Sequence, residues 1–139
     1  MILAQAGSTA VGGEKECSQR EAQLADQGVD RLRSWADLHQ AFKQFGHCDD
    51  GVIAEGWSDW VVERLANQWK TLPHLNALVS ADPGFGDFVI RHIDGTAIWT
   101  SAQTAERNAK GRCPKQAAVL CSRIAERVEA LRREGEEKR

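Results

Sequence analysis

The sequence predicts an all-α fold, a single small bundle of about five to six helices stapled by disulfides. Apolar side chains recur at helical spacing along most of the 139 residues. No useful length of chain alternates apolar and polar residues, and Tyr is missing altogether, which disfavours a sheet. Four cysteines, an even number, supply the material for covalent cross-links.

Capping signals and apolar stripes place the individual helices. Ser18 precedes Glu21 by three residues, the spacing of a capping box, and predicts a first helix through Val29. Asp82 followed by Pro83 predicts another helix start. The apolar stripes are, in order, Leu32-Trp35-Leu38-Phe42-Phe45, Ile53-Trp57-Trp60-Val61-Leu65-Trp69, Leu75-Leu78-Val79, Phe85-Phe88-Val89-Ile93 and Ala117-Leu120-Cys121-Ile124-Val128-Leu131.

The segment between the last two stripes is less regular. Asp94-Gly95-Thr96 is expected to end the preceding helix, and the residues up to Ser101 are expected to form a loop. Thr100 or Ser101 then caps a helix with a thin apolar face, which Gly111 closes.

Three segments are expected along the chain: residues 1–16, a helical domain over residues 17–133, and a charged tail over residues 134–139 that frays into solvent. Ala4-Gln5-Ala6 has the small-residue pattern that signal peptidase cuts. Residues 1–16 are therefore interpreted as the remnant of a signal peptide followed by a disordered N-terminus. The alternative is an ordinary disordered terminus in which the two alanines fall by chance.

Composition disfavours several classes of function. The formal net charge is -2, and basic residues alternate with acidic ones, so no basic face is expected for nucleic acid. No stretch approaches the roughly 20 apolar residues that span a bilayer. The acidic cluster near Asp49 does not have the spacing of a calcium loop. No metal or cofactor is therefore expected.

The cysteines allow three pairings. Cys113 and Cys121 flank a short stretch containing Pro114, which makes a local bridge easy and leaves Cys17 with Cys48 as the second pair. None of them forms C-x-x-C, which disfavours zinc and thioredoxin-type sites. Disulfides persist in oxidising compartments such as the bacterial periplasm, so a periplasmic protein is expected. The alternative is four buried thiols in a cytosolic protein.

His47 and Cys48 suggest a thiol nucleophile, and a small periplasmic thiol hydrolase using Cys48 is the competing hypothesis. Adjacent side chains in a turn point apart, however, so His47 is poorly placed as the base for Cys48. Pairing of Cys48 with Cys17 would also remove the nucleophile. The chain is therefore expected not to be an enzyme.

The five tryptophans divide into two groups. Trp57, Trp60 and Trp69 share an apolar helix face, for which core packing is the default and a homodimer interface the alternative. Trp99 follows Ile98 in the expected loop. A large apolar pair in a loop either tucks into the core or is offered to a partner.

Two blocks and the cysteine-bearing end resemble the amidase immunity proteins of type VI secretion, the Tai family. CDDGVIAEGWS at residues 48–58 resembles the block that opens the family's central helix, and FVIRHIDGTA at residues 88–97 resembles its second block. Asn108-Ala109, Cys113-Pro114 and Leu120-Cys121 are similar to its C-terminal part. The resemblance covers roughly residues 30–125.

The resemblance implies an all-helical periplasmic protein, in many members a dimer, that performs no reaction. Such proteins bind and plug a cognate peptidoglycan amidase effector, a Cys-His hydrolase that cuts the peptide stems of the cell wall. Family members tend to carry an acidic turn after the second block, where this chain has Ile98-Trp99-Thr100-Ser101. This departure bears on the loop's conformation and on the partner.

The expected mechanism is steric, with a protruding loop entering the effector's groove. The first candidate loop is 94–101, with Ile98 and Trp99 as anchors, and the second is 81–87. The predicted effector-binding residues are Asp94, Gly95, Thr96, Ile98, Trp99, Ser101, Asp82 and Asp87. A generic helical adaptor with an intracellular partner is a third hypothesis.

Overall fold

The computed structural model describes residues 15–137. These residues form seven α-helices and three short 3₁₀ turns, and they contain no strand. The helices are α1 Gln19–Val29, α2 Trp35–Phe45, α3 Gly51–Asn67, α4 Leu72–Ala81, α5 Pro83–Arg91, α6 Trp99–Gly111 and α7 Ala118–Glu137. The predicted all-α class is confirmed, with seven helices over the described residues instead of five to six.

The predicted helix starts are confirmed at the first and fifth helices. Ser18 N–H donates to Glu21 Oε1 over 3.1 Å, and Glu21 N–H donates to Ser18 Oγ over 3.1 Å, which completes the capping box of α1. The carboxylate of Asp82 accepts from Phe85 N–H over 3.3 Å, and Pro83 is the first residue of α5. Each cap satisfies a backbone donor that has no partner inside the helix.

The core lies around α3, which packs against α1 on one side and α6 on the other. The last helix, α7, packs along α6, and the short α4 packs against α2 and α5. An aromatic cluster fills the space between α2, α3 and α5. Its members are Phe42, Trp57, Phe85, Phe88 and His92.

Both predicted disulfides are present. Cys17–Cys48 joins the residue just before the cap of α1 to the 3₁₀ turn before α3, with Cα atoms 5.0 Å apart. Cys113–Cys121 joins the segment after α6 to the first turn of α7, with Cα atoms 6.2 Å apart. The two bridges bind neighbouring elements at separate places in the bundle.

Three expected boundaries are wrong. Trp99 is the first residue of α6, so the first candidate loop ends at Ile98 and not at Ser101. Only Asp82 separates α4 from α5, so the second candidate loop, 81–87, is almost entirely helical. Residues 134–137 continue α7 instead of fraying, since nothing before Glu137 ends its backbone ladder.

The proposed signal remnant lies almost wholly outside the described residues, of which only Lys15 and Glu16 belong to it. Among residues 15–137 no helix combines the length and the apolar character that a bilayer-crossing segment needs.

Candidate partner-binding site

A tight turn, residues 94–98, connects α5 to α6, and we call it the binding turn. Asp94 Oδ1 accepts from Thr96 N–H over 3.0 Å and from Thr96 Oγ1–H over 2.6 Å. The backbone closes the turn with a bond from Ala97 N–H to Asp94 C=O over 3.2 Å. A short polar side chain that bonds its own backbone two residues on holds a turn in one shape.

Two buried side chains, Ser58 of α3 and His92, the residue after α5, hold the turn from the core side. Ser58 Oγ–H donates to Asp94 Oδ2 over 2.8 Å, and Ser58 Oγ also lies 2.8 Å from His92 Nδ1. His92 Nε2 lies 2.9 Å from Asp49 Oδ2. Ser58 is 0% exposed and His92 is 3% exposed, so these are bonds of the protein interior. They tie the turn to the centre of the bundle.

Hydrogen bonding decides the ionisation of Asp94. Burial alone would raise the pKa of its carboxyl, but the hydrogen bonds from Thr96 and Ser58 outweigh that effect and hold the pKa below its usual value. Asp94 is therefore a carboxylate at neutral pH. A carboxylate only accepts hydrogen bonds, which suits a group surrounded by an N–H and two hydroxyls.

The binding turn ends in two exposed apolar side chains. Ile98 is 65% exposed and Trp99 is 40% exposed. Ile98 C=O accepts the first bonds of α6, from Ser101 N–H and Ala102 N–H, both over 3.1 Å. The pair therefore stands on a rigid helix end, and the half-buried Ser101 lies within the first helical turn.

Trp99 borders a cleft of about 380 Å³ between the start of α6 and the end of α7, lined also by Gln103, Leu131, Arg132, Gly135 and Glu136. The guanidinium of Arg132 lies 5.5 Å from the ring centre of Trp99, within reach of a cation–π contact. This contact covers part of the Trp99 ring, and 40% of the residue stays exposed.

Arg132 is itself held by two carboxylates. It bonds Glu106 over 2.6 Å and 3.2 Å in a two-pronged contact, and it also bonds Glu129. The Arg132 hydrogen bond holds the pKa of Glu106 below its usual value against the effect of burial, and Lys110 adds to it. Arg132, which lines the cleft, is therefore held in place by an ion pair between α6 and α7.

The other two predicted contact residues lie elsewhere. Asp82 caps α5, and its Oδ2 lies 2.9 Å from His39 Nε2, a hydrogen bond that lowers the pKa of Asp82. Asp87 pairs with Arg123 over 3.0 Å. Arg123 and Arg132 are nine residues apart on α7, two and a half turns, so they project from opposite sides of that helix. The structure does not bring Asp87 and Trp99 onto one face.

The tryptophans predicted as a dimer interface pack inside the chain. Trp57 is 1% exposed and Trp69 is 7% exposed, so neither is free to contact a second copy. Trp60 is half-buried, and its Nε1–H donates to Leu32 C=O over 3.2 Å. The Arg64 guanidinium lies over its ring, 4.5 Å from the ring centre. The interface assignment is therefore wrong for Trp57 and Trp69, because the single chain already fills their contacts.

Neither the Ser58 hydroxyl nor the Cys48 sulfur is placed to attack a substrate. Cys48 is buried and bonded to Cys17, which removes the thiolate that a hydrolase would need. The order Ser58, His92, Asp49 has the atoms of a nucleophile, a base and an acid, but the Ser58 hydroxyl is fully buried and donates to Asp94. The arrangement can hold a turn in place.

The sequence patterns did not single out Ser58, His92, Glu106 and Arg132. A signal for the first two was present, because Ser58 of α3 and His92, directly after α5, lie among apolar residues at positions that face the core. A buried polar side chain needs a hydrogen-bond partner, which is reason to look for one. The Glu106–Arg132 pair spans two helices and has no local signal.

Comparisons with protein-family models, with curated proteins and with solved structures give no match to this chain. Membership of the Tai family therefore stays a prediction that depends on the sequence blocks quoted above.

Proposed function

We propose that this chain is a periplasmic immunity protein that binds a cognate peptidoglycan amidase and blocks its active site. The observation that carries the proposal is the pair Ile98 and Trp99, two large apolar side chains exposed on a turn that buried hydrogen bonds hold in place. The two sequence blocks that resemble the Tai family supply the class of partner.

Pre-ordered anchors suit tight binding. Ordering a loop on association opposes binding, by about 0.5–1.5 kcal/mol for each side chain that must be immobilised. The binding turn and the first turn of α6 are already ordered by their own bonds. Trp is among the residues that most often dominate the energy of a protein interface. Ile98 and Trp99 can therefore enter a groove without a large ordering penalty.

The proposed mechanism is steric. A Cys-His amidase must admit a peptide stem into a groove to reach its thiolate. The binding turn is exposed at Gly95, Thr96 and Ile98 and would occupy that groove, with Ile98 and Trp99 as the apolar anchors. The cleft beside Trp99 would receive a side chain from the rim of the amidase. The immunity protein itself would make or break no bond.

The disulfides support an oxidising compartment. Both bridges link elements that the fold already brings together, and all four cysteines of the chain take part. Bridges of this kind persist in the periplasm and are rare in the cytosol. They favour the immunity protein over an adaptor with an intracellular partner. The homodimer stays a prediction, without the Trp57 and Trp69 contacts first assigned to it.

The test first asks whether the gene next to this one encodes a secreted Cys-His amidase, and it then uses that enzyme. We expect the purified protein to inhibit hydrolysis of peptidoglycan sacculi by this amidase at equimolar ratio. We expect Trp99→Ala and Ile98→Ala each to weaken binding by about 2 kcal/mol, roughly 30-fold, in a calorimetric titration, as for central interface anchors.

Val119→Ala is the matched control, because Val119 is an apolar residue that is 76% exposed at the start of α7. It should bind as the parent protein does, and all three variants should keep the parent's helical circular dichroism. Absence of inhibition at a large excess of protein would refute the proposed function. Inhibition with unchanged affinity of both anchor variants would refute the assignment of Ile98 and Trp99.

A further inference from the structure

We propose that Ser58 and His92 are positioning residues for the binding turn, that they act with His92 in the charged imidazolium form, and that partner binding therefore weakens as the pH rises. Because the turn is the contact surface assigned above, this inference rests on the proposed function. It adds two buried residues and a pH dependence that the contact surface by itself does not require.

Counting protons leads to the charged form. The Ser58 hydroxyl has one proton, which it donates to Asp94 Oδ2 over 2.8 Å. Its oxygen then accepts from His92 Nδ1–H, 2.8 Å away. Asp49 is the acceptor of the remaining short contact, which requires a proton on His92 Nε2, 2.9 Å away. All three contacts are hydrogen bonds only when both ring nitrogens carry protons.

Removal of one proton from His92 disrupts these three hydrogen bonds. A neutral imidazole has a single N–H. If it keeps the bond to Asp49, Nδ1 becomes an acceptor and competes with Asp94 for the one proton of Ser58. Asp94 then loses its buried donor and is held only by Thr96, which belongs to the same exposed turn. The turn would lose its tie to α3.

Charged groups approach His92 from three elements and from the binding turn. Asp49, from the segment before α3, and Asp94, from the binding turn, approach the ring and the Ser58 hydroxyl from opposite sides. Arg91 of α5 lies 3.6 Å from Asp49 and is the cation nearest to it. The ring itself packs against Trp57 and Phe88, which carry no charge.

The last helix approaches the same place. Arg127 of α7 donates from Nε to Ile93 C=O over 2.7 Å, between His92 and Asp94 in the chain. This second cation binds a backbone carbonyl of the segment that leads into the turn. Two carboxylates and two arginines therefore lie near the ring, one arginine beside Asp49 and the other on the backbone, so the case for the charged form depends on the hydrogen-bond donors and acceptors alone.

The first experiment observes the turn without any partner. Backbone ¹⁵N relaxation is measured for Gly95, Thr96 and Ile98 in the parent protein, in Ser58→Ala and in Thr96→Val. We expect order parameters near about 0.85 in the parent and a fall toward about 0.6 in both variants. Thr96 is exposed, so its variant removes one bond of the turn without touching the core and calibrates the size of the fall. His92→Gln is measured in the same way and serves if Ser58→Ala fails to fold.

Ser80→Ala is the matched control, because Ser80 is an exposed helical serine of α4. It should leave all three order parameters unchanged. Unchanged order parameters in Ser58→Ala and His92→Gln would overturn the positioning role, whatever the partner does.

The second experiment measures affinity for the neighbouring amidase from about pH 5 to about pH 8, the range in which histidine changes charge. His92→Gln is the reference, since its amide can donate to Asp49 and does not titrate. The ratio of the two affinities cancels the titration of the amidase itself. We expect the parent's advantage to fall about tenfold from low to high pH, and Ser58→Ala to bind about tenfold more weakly than Ser80→Ala at low pH.

A constant ratio over this range would overturn the charged form of His92. If the amidase binds neither the parent nor any variant, the proposed function fails, while the relaxation data still decide whether Ser58 and His92 order the turn.

Discussion

Glu21 is the residue at which a helix cap and a close contact to His47 meet. Its carboxylate accepts from the Ser18 N–H, and the Nε2 of His47 lies 3.0 Å from its other oxygen. The bond from Ser18, followed by the one from His47, lowers the pKa of Glu21 to about 2 from an ordinary value of 4.5. The same residue thus fixes the start of α1 and the 3₁₀ turn that carries His47.

The sign of the stability change follows from the lowered pKa of Glu21. A carboxylate with a lower pKa in the folded protein stabilises the fold above the unfolded pKa of about 4.5, and this contribution is lost as the pH falls to about 2. We expect the carboxyl ¹³C shift of Glu21 to titrate near pH 2, and the stability advantage over Glu21→Gln to shrink between these values. A midpoint near 4.5 would contradict the prediction.

Sequence patterns distinguish residue roles only as far as local geometry decides them. The Ser18–Glu21 cap could be predicted, because both partners lie within one turn of helix. The exposure of each tryptophan could not, because Trp57 and Trp99 differ in what surrounds them and not in residue type. The Ser58 and Asp94 contact joins residues 36 apart, and only the tertiary fold brings them together.

At the scale of elements, close helix packing depends on two glycines. Gly86 of α5 is buried against α4, and a methyl group at its Cα would lie 2.7 Å from Val79 Cγ1. Gly56 of α3 lies as closely against Val29 of α1, where the same distance would be 2.9 Å. Gly28 of α1, in contrast, has open space, with no heavy atom within 4 Å of such a methyl group.

This contrast predicts opposite effects of one substitution. Gly28→Ala should stabilise the protein by about 0.5 kcal/mol, since alanine loses less backbone freedom in a helix. Gly86→Ala gains the same helix preference but forces α4 and α5 apart, and overpacking of this kind typically destabilises by about 1–3 kcal/mol. Urea unfolding of the two variants measures the difference. Equal effects of the two substitutions would show that α4 and α5 have room for a methyl group at Gly86.

Helix existence could be predicted from the apolar period, whereas helix ends without a polar cap could not. The N-cap of α6 is Ile98, which offers no side-chain hydrogen bond, so Thr100 and Ser101 were the better candidates by residue type. Burial of Ala102, Ala105 and Ala109 against the neighbouring helices favours the earlier start. Small side chains give α6 a thin apolar face in the sequence and close packing in the fold.

At the scale of the whole molecule, the two disulfides tie down different ends of the bundle. Their pairing could be predicted, because the short separation of Cys113 and Cys121 leaves one partner for each remaining cysteine. The consequence of the longer bridge could not, because it depends on what lies beside Cys48. Asp49 follows it directly and accepts from His92, so this bridge also borders the network that holds the binding turn.

The bridges should therefore differ in energy. Cys17–Cys48 closes a segment with a sequence separation of 31, and Cys113–Cys121 one of 8. Loss of unfolded-chain entropy by closing these loops corresponds to about 3.7 kcal/mol for the first and about 2.5 kcal/mol for the second. We expect the double variant Cys17→Ala, Cys48→Ala to be less stable than Cys113→Ala, Cys121→Ala by about 1 kcal/mol in chemical unfolding.

Each double variant is the matched control for the other, because both remove two sulfur atoms, one of them buried at Cys48 or Cys121. Only the Cys17→Ala, Cys48→Ala variant should also lower the order parameters of the binding turn, because Asp49 then loses the disulfide beside it. Cys113 follows the C-terminal end of α6, whereas the binding turn precedes its N-terminal end. A reversed order of stability would mean that native packing around Cys121 outweighs loop length. Equal loosening of the turn in both variants would mean that the bridge beside Asp49 has no special part in holding it.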